Sequence, residues 1–345
     1  MKLFKTTLMV VLVIVFSVTL ANAGNKTETI KFTSYTVSTY EDMVDGLDGA
    51  KSVKLKAKLV IPPGDDKRPA IVFIHDQGGL RPRNNYWLTN FQKMGIATLQ
   101  LDCYKARGVS GTDVKSSKVR SMVMATDALK ALEALSNHPD IDSNRIGVMG
   151  VCVGGVASIS TAWEPVRKAV IKSDLKFAAN ISLYPLCYDF EEFDFSGAPI
   201  LILSGGKDTW VPTETCVDFA ANLKATGYPV KTIVYPEAYH LFDAEYSLKN
   251  ASFYNAFNCR FKMQPNGVLL NTKCNLDSRD SNYIKCCVKK SKIKYGKNKK
   301  VKEQALVEVK SFISKVFQIE MPTEESIASE INTKSSSVSN SANER

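Results

Sequence analysis

The stretch Met149-Gly150-Val151-Cys152-Val153-Gly154-Gly155-Val156 constrains the fold of this 345-residue chain more than any other. Just upstream, Arg145-Ile146-Gly147-Val148 reads as a short buried strand, and downstream Gly155-Val156-Ala157-Ser158-Ile159-Ser160 reads as the start of a helix. A Gly-x-Cys-x-Gly-Gly junction between strand and helix has the form of a nucleophile elbow, with cysteine where serine is commoner. The chain turns so sharply there that the residues two before and two after the nucleophile must be small. Gly150 and Gly154 meet that demand because neither carries a Cβ. The turn exposes the side chain at a sheet edge and at the positive end of a helix, which favours thiolate. A small buried cysteine in a Gly-rich turn would have the same spelling, so the rest of the chain has to decide.

Strands and helices alternate around that junction. Thr29 to Val37 and Val53 to Ile61 read as two antiparallel edge strands, the second closed by Pro62-Pro63-Gly64. Ala70 to Ile74, Ile96 to Leu101, Ala178 to Leu183, Pro199 to Leu203 and Val230 to Tyr235 read as buried strands. Helices are expected over Asn85 to Lys93, Lys118 to Ser136, Thr213 to Ala225 and Lys302 to Val316. Near-continuous apolar strands separated by helices define an α/β chain with a mostly parallel sheet covered on both faces. Residues 247–298 read as an irregular insertion before the last helix, with a turn at Gln264-Pro265-Asn266-Gly267. There is no internal repeat and no sign of a second domain.

Both ends lie outside that pattern. Lys2 and Lys5, the uncharged apolar run Leu8 to Leu20 and the small-x-small Ala21-Asn22-Ala23 spell a secretory signal over residues 1–23, cut before Gly24. The run is short for a membrane span. Export is therefore expected, to a periplasm or to the exterior. Residues 24–320 make the domain, and the Ser/Glu/Asn-rich residues 321–345 have too little apolar content to fold. Eight cysteines in an exported chain suggest disulfides. With Cys152 set aside seven remain, so at least one more is free or intermolecular, and Cys103 at the end of a buried strand is the natural spare. Adjacent Cys286 and Cys287 should each have a distant partner. The pairing among Cys187, Cys216, Cys259, Cys274, Cys286 and Cys287 is left open.

The formal net charge is +10, and much of the excess lies in the lysines between Tyr283 and Glu303. Such a run reads first as a solvated loop and second as a docking patch for anionic surfaces. No nucleic-acid motif accompanies it.

An elbow nucleophile needs a base, and the base needs an orienting acid, in the order nucleophile, acid, histidine. His240, after the last core strand, is placed to carry an imidazole over the sheet's edge, and Asp208, directly after a buried strand, is the matching acid. Asp208 could instead cap the next helix, but Thr213 suits that role better. Asp243 and Glu237 lie too close to His240 in the chain. His138 reads as structural, and His75 could shape the loop after Ala70 to Ile74. That loop should supply one oxyanion donor, the backbone N–H of Gln77, and Val153 the other.

With these residues in hand the chain resembles the dienelactone hydrolase family, α/β-hydrolase enzymes with a Cys-Asp-His triad. The resemblance rests on Gly150-Val151-Cys152-Val153-Gly154-Gly155, Gly206-Lys207-Asp208-Thr209-Trp210-Val211-Pro212 and Tyr235-Pro236-Glu237-Ala238-Tyr239-His240. It runs from about Val53 to Phe242, and the Asp-x-Tyr-x-x-Arg-Gly spelling of Asp102 to Gly108 is similar to an exported branch. It implies an α/β-hydrolase fold and cleavage of small esters or lactones through an acyl-cysteine, with no metal or organic cofactor. It also implies that Asp76 stands where a family acid meets the thiol, that Arg107 binds a substrate carboxylate, and that Trp210 flanks the substrate. A non-catalytic binding protein docking through its lysines, or a peptidase or deacetylase of the same fold, are the competing readings.

Overall fold

The computed structural model describes residues 24–109 and 119–320. The signal, the tail and the first residue of the helix expected from Lys118 lie outside the described residues. In chain order the strands of the main sheet are β1 (Lys26–Thr36), β2 (Lys51–Ile61), β3 (Arg68–Ile74), β4 (Ala97–Leu101), β5 (Ile141–Val151), β6 (Ala179–Leu183), β8 (Ile200–Gly205) and β9 (Val230–Tyr235), with β7 (Asp189–Phe190) lying apart. The helices are α1 (Tyr40–Val44), α2 (Asn85–Lys93), α3 (Ser121–Ser136), α4 (Val153–Ser160), α5 (Glu164–Val170), α6 (Glu214–Ala225) and α7 (Lys299–Phe317).

The eight strands order as β1-β2-β4-β3-β5-β6-β8-β9. The six from β4 to β9 run parallel, and β1 and β2 add an antiparallel edge. This is the α/β-hydrolase fold. Two-residue periodicity sorts side chains between the faces. Ala70, Val72 and Ile74 of β3, with Ile146 and Val148 of β5, pack under α3, α4 and α5. Ile71 and Phe73 of β3, with Met149 and Val151 of β5, pack against Trp87, Leu88 and Phe91 of α2 and Val309, Ile313 and Phe317 of α7. Because both faces are covered there, the inner strands β3 and β8 are almost wholly apolar, whereas the edge strands β1 and β2 alternate with lysine and threonine.

The insertion is strand structure rather than an irregular loop. Strands β10 (Lys249–Asn255) and β14 (Lys289–Tyr295) pair as an antiparallel ribbon. Strands β11 (Phe261–Met263), β12 (Leu269–Asn271) and β13 (Leu276–Asp277) form a second small sheet, and β11 extends it onto β7. The lysine run is corrected with it: Lys289, Lys290, Lys292 and Lys294 stand on β14, and Lys299, Lys300 and Lys302 on α7. Disulfides Cys259–Cys287 and Cys274–Cys286 tie the insertion internally, and Cys187–Cys216 ties the segment before β7 to α6. Cys286 and Cys287 thus have separate, distant partners, while Cys103 is free and buried. Among the described residues no helix is long and apolar enough to cross a membrane.

Candidate active site

The elbow is built as its spelling requires. Cys152 sits between β5 and α4 at φ 56° and ψ −119°, a conformation costly for a residue with a Cβ. It is held there by its own N–H, which donates to the Leu183 carbonyl at 2.9 Å across the end of β6. A Cβ on Gly150 would strike the Gly154 carbonyl, and one on Gly154 would strike the carbonyls of Ile74 and His75. The two glycines let the helix approach the sheet closely enough to raise the thiol above its edge.

Cys152 Sγ lies 3.3 Å from His240 Nε2, and His240 Nδ1 lies 2.6 Å from Asp208 Oδ2. Asp208 follows β8, and its other oxygen accepts the N–H groups of Trp210 and Val211 at 2.8 and 3.1 Å. Thr213, expected to cap α6 with its side chain, donates its hydroxyl to the Gly205 carbonyl instead and secures this loop. Burial pushes the His240 imidazole toward its neutral form, but Asp208 and Cys152 together outweigh it and raise the pKa to about 10. The imidazolium form is thereby favoured, with Nδ1–H directed at Asp208 and Nε2–H at Cys152.

The rival acids have other occupations. Asp243 is buried, accepting from Trp87 Nε1 at 2.7 Å and Tyr184 Oη at 2.6 Å. Tyr184 in turn packs its ring edge-on against His240, so Asp243 supports the imidazole indirectly. Glu237 is exposed and pairs with Lys207. His138 is tied to Glu28. His75 Nδ1 donates to the Asp76 carbonyl at 2.6 Å, and its Nε2 accepts the Cys103 N–H at 3.3 Å.

Cys152 and His240 open into a cavity of roughly 670 Å³, whose walls include Asp76, Gln77, Val153 and Trp210. Val153 is the first residue of α4, so its N–H has no intrahelical acceptor. Asp76 is committed elsewhere than the thiol: one carboxylate oxygen takes the Gly78 N–H at 2.6 Å and the other pairs with Arg83.

Arg107 does not reach this cavity, which overturns its expected role as a carboxylate binder. Its Nη1 and Nη2 grip Asp127 of α3 at 2.7 and 2.8 Å, and they also donate to the carbonyls of Cys103 and Tyr35. Nε donates to Thr36 Oγ1. All five guanidinium hydrogens are used, so none is left for a substrate. The arginines that do line the cavity are Arg81 and Arg83, on the loop that carries Gln77. The Arg-Pro-Arg spelling beside that loop was the available signal for them.

The insertion forms the opposite wall, with Phe253, Tyr254 and Tyr295 among its lining residues. Phe253 stacks on Trp210 with ring centroids 4.9 Å apart, and Trp210 Nε1 donates to the Tyr254 carbonyl at 3.1 Å. Tyr295 of β14 bridges to His240, and the Gly296 N–H donates to the His240 carbonyl at 2.9 Å. The ribbon therefore grips both the acid loop and the histidine loop.

Among the described residues, the group of His, Cys, Asp and Glu close enough to hold a metal is Glu28, His138 and Asp140, remote in sequence from these loops. Lys26 Nζ already sits there, 2.7 Å from Asp140 Oδ2 and 2.5 Å from Glu28 Oε1.

Residues 55–260 match the dienelactone hydrolase family, and the chain belongs to it. A Yersinia pestis protein named "Putative carboxymethylenebutenolidase" is 34% identical over 106 residues, 30% of this chain and 40% of that protein. The chain thus spans about two fifths of the length of that relative. A Bradyrhizobium protein named "Probable 2-oxo-3-(5-oxofuran-2-ylidene)propanoate lactonase" is 22% identical over 211 residues, 58% of this chain and 83% of that protein. Among solved structures, Thermogutta terrifontis esterase 2 phosphorylated by paraoxon aligns with a TM-score of 0.47 and 18% identity, over 77% of this chain and 92% of that one.

Proposed function

We propose that this protein is an exported hydrolase of carboxylic esters or lactones that works through an acyl-cysteine on Cys152. The observation that carries the reading is the unbroken chain Cys152 Sγ–His240 Nε2 (3.3 Å) and His240 Nδ1–Asp208 Oδ2 (2.6 Å), opening into a cavity. The thiolate attacks the carbonyl carbon, and the N–H groups of Gln77 and Val153 receive the developing oxyanion. His240 gives its Nε2 proton to the leaving alcohol as the C–O bond breaks. Water then adds to the thioester, losing its proton to His240, and the acid departs as the thiolate is restored. Asp208 holds the imidazole's orientation and charge throughout. Membership of the family and the lactonase named among the relatives support an ester or lactone as substrate.

Three disulfides support an oxidising compartment, in line with a signal at residues 1–23. The lysines of β14 serve as a weak contact with anionic surfaces. Purified protein should release p-nitrophenolate from p-nitrophenyl acetate and open a small lactone, and Cys152→Ala should do neither. Folded wild-type protein inert toward a broad panel of both would overturn the reading and leave a binding role.

A further inference from the structure

A second cavity, of about 1,020 Å³, adjoins the first. It shares seven wall residues with the first, Gln77 and Val153 among them, but contains neither Cys152 nor His240. Its own walls set apolar side chains, Val37 and Met122 from the α/β core and Phe261, Leu269 and Ile284 from the insertion, among the polar Ser38 and Arg120. The two residues whose N–H groups would hold the carbonyl oxygen thus stand at the boundary between the cavities. A carbonyl carbon within reach of Cys152 there can send one substituent into each.

We propose that this second cavity is the acyl subsite, and that the substrate class is esters of long or bulky apolar carboxylic acids. The assignment of arms follows from the proton. His240 protonates the leaving oxygen, and His240 lines the first cavity alone, so the alcohol occupies that side. The acyl chain is left to run past Gln77 and Val153 into the apolar space. Its size is at the upper end of what encloses a drug-sized ligand, more than a short acyl group fills. The proposal rests on the ester-hydrolase reading and deepens it.

The test uses full-length mature protein and a p-nitrophenyl series with acetyl, butyryl, octanoyl and dodecanoyl groups. kcat/KM should rise at least tenfold from acetyl to octanoyl, since each methylene buried is worth up to about fourfold. Ile284→Trp and the exposed rim variant Ser38→Trp, each confirmed folded by thermal melting, should abolish most of that rise while leaving acetyl turnover within about twofold. Binding of dodecanoate to Cys152→Ala, read by calorimetry, reports on the subsite without turnover. It should be weakened at least fivefold in the double variants with Ile284→Trp or Ser38→Trp. Turnover with no chain-length preference, or dodecanoate binding that both tryptophans leave intact, would overturn the acyl subsite. Dodecanoate binding that the tryptophans weaken, with no ester cleaved, would uphold the subsite and remove the hydrolase reading instead.

Discussion

In the proposed reaction Cys152, His240 and Asp208 act in one step, and their losses should not add. Cys152→Ala and His240→Ala should each lower kcat for p-nitrophenyl acetate by on the order of a thousandfold or more, and the double variant should be little worse than either. Asp208→Asn should cost less than Cys152→Ala, because a misoriented imidazole still leaves the thiol in place. Iodoacetamide should inactivate in proportion to labelling at Cys152, with protection by substrate. Full activity of Cys152→Ala would place the chemistry elsewhere. These three residues were legible because each stands alone in a marked setting: a Gly-flanked turn, an acid after a buried strand, and a histidine after the last strand. Arg107 was misread for a reason that sequence hides. A substrate-binding arginine and one that neutralises a buried acid have the same spelling, and the partner Asp127 lies on a helix twenty residues on. Arg107→Ala should therefore destabilise the fold by about 3–5 kcal/mol, leaving Asp127 buried without its partner, and should not act through KM alone. Chemical unfolding against kinetics on the folded fraction separates the two.

The elements of the main sheet were readable from apolar runs because both faces are buried. The insertion was not, because its strands follow a different rule. Of the seven residues of β14 only Ile293 is fully buried, and lysine, a poor strand former, holds four positions. Its pairing is fixed by register with β10 and by packing of Phe253 and Tyr295 on Trp210, long-range contacts that a local pattern cannot announce. The same geometry separates the ribbon's two faces. Lys292 and Lys294 lie opposite Ser252 and Asn250, on the side away from Phe253 and Ile293. Replacing both by Gln should leave p-nitrophenyl acetate turnover within about threefold, and should weaken sedimentation with anionic vesicles most at low salt. Phe253→Ala, on the other face, should cost roughly three- to tenfold in kcat/KM by loosening Trp210. A larger kinetic loss from the lysine pair than from Phe253→Ala would reverse this assignment of faces.

For the molecule as a whole, the two free thiols and the two buried imidazoles set its chemical limits. Peptide mapping without reduction should recover Cys103 and Cys152 as thiols and the other six cysteines as three bridges. A bridge to Cys152 in active protein would contradict the nucleophile. The pH limits follow from His75 and His240, whose shifts are opposite. His240 is raised from 6.5 to about 10, so its contribution is complete below 6.5 and is lost as pH climbs through 10. His75 is lowered from 6.5 to about 4, chiefly by burial, against the pull of Asp102 and Asp127. Its ring geometry agrees, because Nε2 accepts the Cys103 N–H and Nδ1 must then donate to Asp76 O, a pattern only the neutral ring can make. The unfolded chain takes up this proton first, so the stabilisation is present above 6.5 and fades as pH falls toward 4. Between pH 7 and pH 5 the loss should be about 2 kcal/mol, from the shift and 1.36 kcal/mol per pKa unit. His75→Gln keeps one donor and one acceptor but does not titrate. Urea unfolding at both pH values should show the wild type losing about 2 kcal/mol more than His75→Gln over that interval. Parallel acid losses in the two proteins would mean that the sensitivity arises from another group, and that His75 is not held neutral by its surroundings.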